Sequence, residues 1–194
     1  VASFRSKTTL PPQTFINGLN HYLPKDIAVK AAYMVDDSFS VRRDALSREY
    51  NYCILNSLTR SPIREGFSYR VGGHLDIEAM NQACQALVGE HDFVSFASSM
   101  GIGTKNTVRR VYRAEMEKDG ELAVFNIVAN SFLTHQVRNT VGALIKVGRG
   151  KMTVDEFYGM VEAKKPGLAG PTAPACGLCL TGVNYPRSFG EERQ

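Results

Sequence analysis

The sequence predicts an α+β fold: a mostly antiparallel sheet with helices packed on one face. Three observations carry that expectation. Two apolar, β-branched runs, 107–117 and 122–132, flank Lys118-Asp119-Gly120-Glu121, and an Asp-Gly between such runs signals a hairpin. Leu133, Val137, Val141 and Leu144 recur at spacings of four, four and three, the core-facing stripe of an amphipathic helix. Helical segments lie between strands that pair as hairpins, which places helices on one face of the sheet.

The remaining elements follow in chain order. Residues 1–6 read as a strand, and Pro11-Pro12 opens a helix over 13–22 that stops at Leu23-Pro24. Residues 27–34 read as a second strand. Asp36-Asp37-Ser38 marks a turn and a domain boundary, with 1–36 as the last part of an N-terminal domain and 37–194 as a C-terminal domain. Residues 45–56 are a strand. Asp76 suits the N-cap of a helix that carries Met80, Ala83, Cys84 and Leu87 on one face. Thr153-Val154-Asp155-Glu156 is a capping box before Phe157, Met160 and Val161. A Gly/Pro-rich loop over 169–174 leads to a last strand, 178–184.

Composition sets wide bounds. With 194 residues, 43% of them apolar, the chain can bury a sizeable core as one domain or as one domain with part of another. Four cysteines do not suggest a disulfide framework, and no apolar run is long enough to span a bilayer. A net charge of +4 suits a polyanionic partner without requiring one. The positive charge gathers in three clusters: Arg42, Arg43 and Arg48; Lys105, Arg109, Arg110 and Arg113; and Arg138, Lys146, Arg149 and Lys151. Phe39, Tyr50, Tyr52 and Tyr112 lie among them, as on a surface that binds phosphates and stacks on bases, although ordinary solvated faces have the same composition.

Other motifs carry less. Cys176-Gly177-Leu178-Cys179 has CxxC spacing but no second ligand pair, and it enters a strand where a redox motif would open a helix, so it reads as structural thiols. Gly101-Ile102-Gly103-Thr104-Lys105 lacks the ending of a phosphate loop and reads as a flexible loop whose Lys105 touches RNA. His21, His74, His91 and His135 have no metal spacing, and no metal site is expected. Arg138 sits about 100° around the helix from Val137, at the border of the apolar stripe. It either pairs with a fixed anion or reaches water over an apolar stem.

Six segments in the same order extend this reading. Ser47-Arg48-Glu49-Tyr50-Asn51-Tyr52-Cys53-Ile54, Glu90-His91-Asp92-Phe93-Val94-Ser95-Phe96 and Phe132-Leu133-Thr134-His135-Gln136-Val137-Arg138-Asn139-Thr140-Val141-Gly142 are three of them. Asn20-His21-Tyr22-Leu23-Pro24-Lys25-Asp26-Ile27, Thr107-Val108-Arg109 and Ala173-Pro174-Ala175-Cys176-Gly177-Leu178 are the others. Together they resemble the bacterial TruA-type tRNA pseudouridine synthases over essentially the whole chain.

The resemblance implies the C-terminal half of the pseudouridine synthase fold and conversion of uridine to pseudouridine without cofactor or metal. It implies tRNA as partner, at positions 38 to 40 of the anticodon stem-loop, in a cytoplasmic homodimer with one RNA spanning both subunits. Tyr50 matches the tyrosine that stacks on the flipped uracil, a candidate also for proton transfer at C5. Arg138 matches the arginine that pairs with the catalytic aspartate, and Leu178 the apolar wall of the uracil pocket. Phe39, Arg42 and Arg43 match a segment that touches tRNA, with Arg42 as the first phosphate ligand. Lys105 matches a second tRNA loop by position alone, and Arg48 and Arg109 join the RNA surface through the charge clusters. The family's Gly-Arg-Thr-Asp-x-Gly-Val-His segment, with its nucleophilic aspartate, has no counterpart here. The chain is therefore expected to be a piece without the nucleophile and inactive alone, the alternative being a non-catalytic RNA-binding and dimerisation module.

Overall fold

A computed structural model describes residues 1–98 and 106–186. The chain divides into two compact units: one of Val1–Leu46 with the stretch that begins at Asn184, the other of Ser47–Val183.

Among the described residues of the first unit one helix forms, α1 (Pro12–Tyr22), with proline at its first position, where no backbone donor is needed. The strands expected over 1–6 and 27–34 do not form. A strand needs a neighbour for its backbone groups, and neither run finds one among the described residues. The Asn20 side chain instead bonds both the N–H (2.7 Å) and the carbonyl (2.9 Å) of Val29, tying that extended run to the helix. Val1 and Met34 are more than four-fifths exposed.

The second unit is built on a six-stranded sheet. Its strands are β1 (Ser47–Leu55), β2 (Tyr69–Arg70), β3 (Gly89–Asp92), β4 (Val108–Asp119), β5 (Leu122–Ala129) and β6 (Leu178–Asn184). The order is β2-β1-β5-β4-β3, with β6 also paired to β1. The β1–β5, β4–β5 and β3–β4 ladders are antiparallel, while β2 runs parallel to the end of β1.

Two strands lie below the reach of pattern reading: β2 has two residues and β3 four, too few to display alternation. The β4–β5 hairpin forms where expected, but Asp119 still pairs with Leu122, so the turn residues are Gly120 and Glu121. Gly120 takes a left-handed φ of +57°, which glycine adopts without steric cost. β5 stops at Ala129, short of the expected 132. Asn130 ends the ladder because its Oδ1 accepts from the N–H groups of Arg110 (3.0 Å) and Ser131 (2.8 Å).

Register explains the two faces of the sheet. Tyr50, Tyr52 and Ile54 stand opposite Ile127, Phe125 and Ala123, which oppose Ala114, Met116 and Lys118 in turn. The apolar members of this set form one buried cluster with helices α2 (Ile77–Cys84), α3 (Gln136–Gly148) and α4 (Val154–Glu162). The other face is polar: Arg113 bridges Glu49 at 2.9 Å and Glu115 at 3.4 Å.

Caps set the helix starts. Asp76 accepts from the Ala79 N–H at 2.9 Å, and Thr153 with Glu156 forms the full capping box; each such cap is worth about 1 kcal/mol. Helix α3 is buried along nearly its whole length, and its Gly148 lies against Met80 with no room for a methyl group.

Candidate active site

Tyr50 stands on the helix-covered face of the sheet, near the start of β1 and two residues before the wholly buried Tyr52. Its ring meets Phe132 edge-on, with centroids 5.2 Å apart and planes at 89°. The tyrosine is half-buried. Arg48, on the same side of β1, donates from Nη1 to the Asn130 carbonyl at 2.6 Å and anchors the segment leading into α3.

That segment enters the helix through His135, a non-glycine residue at φ +64°. An unbranched residue tolerates this region at a cost of order 1–3 kcal/mol, and the surrounding structure must hold it. Gln136 supplies part of the hold, accepting from the Leu133 N–H at 2.8 Å.

Three residues into α3, Arg138 sits at the edge of the buried stripe, half-buried. Its Nε donates to the Ala173 carbonyl at 2.7 Å, and the Ala173 N–H returns a bond to the Arg138 carbonyl at 3.1 Å. Among the described residues no carboxylate lies within salt-bridge distance of its guanidinium. The arginine is therefore fixed by one edge, and its Nη1 and Nη2 donors remain for an incoming anion. A guanidinium cannot lose its charge near neutral pH, and it presents two parallel N–H bonds to a carboxylate.

Residues 169–177 form a strap over this helix. The strap can approach because Gly142, one turn beyond Arg138, has no side chain; an added Cβ would collide with the Pro171 carbonyl oxygen. Thr172 Oγ1 donates to Asn139 Oδ1 at 2.6 Å, Lys146 Nζ donates to the Gly170 carbonyl, and Tyr52 Oη donates to the Pro174 carbonyl at 2.7 Å. Burial is the main cause holding the Tyr52 hydroxyl far above the ordinary phenol range, and the nearby Arg138 charge only partly opposes it. Tyr52 is thus a permanent donor.

Leu178 follows the strap as the first residue of β6, half-buried against the core. Arg138 is bonded to the strap directly, Tyr50 meets Phe132 in the segment before α3, and Leu178 follows the strap in chain order. Tyr52, expected among the base-stacking aromatics, is wholly buried and cannot present a face to a base; the sequence does not single out Asn139, Gly142 and Thr172 as site residues. Gly142 offered the one readable signal, since a glycine inside a helix costs about 1 kcal/mol unless something must come close.

The expected RNA contacts are distributed more widely. Phe39, Arg42 and Arg43 lie in the first unit, where the Phe39 ring stands 5.3 Å from that of Tyr185. Arg109 folds back, with Nη1 donating to the carbonyls of Asn106 (2.9 Å) and Val108 (2.6 Å), and desolvation lowers its pKa. Arg113 pairs with Glu49 and Glu115 at the surface, and Lys146 bonds the Gly170 carbonyl, so their clusters offer less unpaired charge than the sequence suggests. Lys105 lies outside the described residues.

The cysteines show no redox geometry. Burial raises the thiols of Cys53 and Cys84, the latter to about 12, and Cys176 and Cys179 are exposed and unpaired. Among the described residues no cluster of three or more potential ligands could hold a metal, and no helix is long and apolar enough to cross a membrane.

The profile of the tRNA pseudouridine synthase family matches residues 83–186, which include Arg138, the strap and Leu178. Proteins named tRNA pseudouridine synthase A extend the match to β1 and Tyr50. That of Pelobacter propionicus is 40% identical over 185 residues, covering 95% of this chain and 75% of the relative. The one from Geotalea uraniireducens matches to the same extent. That of Francisella tularensis subsp. tularensis is 41% identical over 194 residues, covering all of this chain and 74% of the relative. The chain belongs to the tRNA pseudouridine synthase family.

Proposed function

We propose that this chain carries the tyrosine, the arginine and much of the RNA surface of a tRNA pseudouridine synthase acting on positions 38 to 40 of the anticodon stem-loop. The observation that carries the reading is Arg138: an arginine held by Nε on a backbone carbonyl, with Nη1 and Nη2 left as donors.

The reaction is an isomerisation. The N1–C1′ bond breaks, the uracil turns, C5 bonds to C1′, and C5 gives up a proton while N1 gains one. A carboxylate must start this exchange. No aspartate of these 194 residues stands in the family's motif, so that group is supplied by a segment outside them. Arg138 holds the carboxylate ionised and aimed. Tyr50 stacks on the base once it has left its helix, a step that costs a few kcal/mol. Leu178 closes the pocket beside it. Arg42, Arg43 and Arg48, with Phe39 and Lys105, make the tRNA surface of a cytoplasmic homodimer whose two subunits share one RNA, and Arg109 shapes its edge from its folded-back position.

The test is to map pseudouridine in unmodified tRNA treated with the full-length enzyme. New pseudouridine is expected at positions 38, 39 and 40. Modification confined to another arm of the tRNA would refute the substrate assignment.

A further inference from the structure

The direction in which the Arg138 guanidinium points is set by the strap. Ala173 is bonded to Arg138 twice, through its carbonyl to Nε and through its N–H to the helix carbonyl. The residues on either side of Ala173 are pinned to different elements. Thr172 is held by Asn139 of α3, whose amide also donates to the Phe96 carbonyl at 2.8 Å. Pro174 is held by Tyr52 of β1. Gly142 opens the slot in which this piece of backbone lies. A carbonyl fixed from both sides is thus bonded to one edge of the guanidinium.

We propose that Thr172 and Tyr52 are positioning residues that act through Ala173 on Arg138. They commit Nε to the protein, so the catalytic carboxylate must dock on the end formed by Nη1 and Nη2. An arginine offers a carboxylate two bidentate edges, Nη1/Nη2 and Nε/Nη2. With Nε taken, only the first is left, and the side chain cannot swing to the second without losing Ala173. The inference rests on Arg138 being the partner of the catalytic carboxylate.

The experiment compares variants of the full-length enzyme by kcat and by tRNA affinity. Thr172→Val keeps the shape and removes the donor; kcat is expected to fall about tenfold while the Kd for tRNA stays within about twofold, as when a reacting group is misaimed. Thr172→Ser should restore kcat. Tyr52→Phe should repeat the kcat loss, because phenylalanine fills the same buried space without the bond to Pro174. Arg138→Ala runs beside them. If Arg138→Ala turns over like wild type, the functional reading itself has failed. If Arg138→Ala is dead while Thr172→Val and Tyr52→Phe keep kcat, or lose tRNA affinity in step with kcat, the positioning role alone is overturned. A crystal structure of the full-length enzyme with the aspartate on the Nε/Nη2 edge of Arg138 would overturn it independently of any variant.

Discussion

Arg138 lies where an isolated charge would be costly, and its partner within the described residues is a backbone carbonyl. That arrangement suits a cation whose counter-ion comes from elsewhere, because a neutral acceptor orients the guanidinium without neutralising it. Arg138→Ala should abolish tritium release from labelled tRNA while the melting transition changes little. Arg138→Lys should be nearly as damaging, since an ammonium has neither the Nε donor for Ala173 nor the planar fork. Wild-type rates in either variant would refute the role. Tyr50 works through its face. Tyr50→Phe keeps the edge contact with Phe132 and the stacking surface, so its single-turnover rate should fall less than that of Tyr50→Ala. Equal losses in the two variants would move the role from the ring to the hydroxyl.

At the scale of elements, glycine marks where backbone meets backbone. Gly142→Ala drives a methyl group into the Pro171 carbonyl, and it should cost about 1–3 kcal/mol in denaturant unfolding despite alanine's better helix propensity. A Gly142→Ala protein as stable as wild type would mean that the strap can lift from α3. Asp76→Ala, by contrast, should cost only about 1 kcal/mol, the worth of one cap.

The elements that were legible in the sequence were the ones with local chemistry. Asp76 and the Thr153–Glu156 box announce their helices, the Val137–Val141–Leu144 stripe announces α3, and Gly120 announces the hairpin. Residues 1–6 and 27–34 have strand-like patterns yet lack a partner strand, and pairing is not a local property. The candidate site divides in the same way. Motifs single out Tyr50 and Arg138 in the sequence, whereas the Tyr52 hydroxyl bonds a backbone carbonyl 122 residues away, which no spacing rule reaches.

For the whole molecule, the Ser47–Val183 unit has its own sheet, its own helices and one continuous core, so it should fold without help from outside these 194 residues. The chain should bind tRNA weakly. Arg109, Arg113 and Lys146 are engaged internally, and each phosphate contact not made lowers the salt slope by roughly 0.7 to 0.9. A gel shift at several salt concentrations measures that slope. Activity needs more than binding, because affinity for tRNA cannot replace a missing nucleophile.

The most direct measurement is single-turnover pseudouridine formation on unmodified tRNA. It compares the 194-residue chain alone with the enzyme completed by an aspartate-bearing N-terminal segment. The expected result is no product from the chain alone, turnover from the completed enzyme, and loss of that turnover with Arg138→Ala. Pseudouridine formed by the purified chain alone, or turnover in the completed enzyme that is indifferent to Arg138, would contradict it.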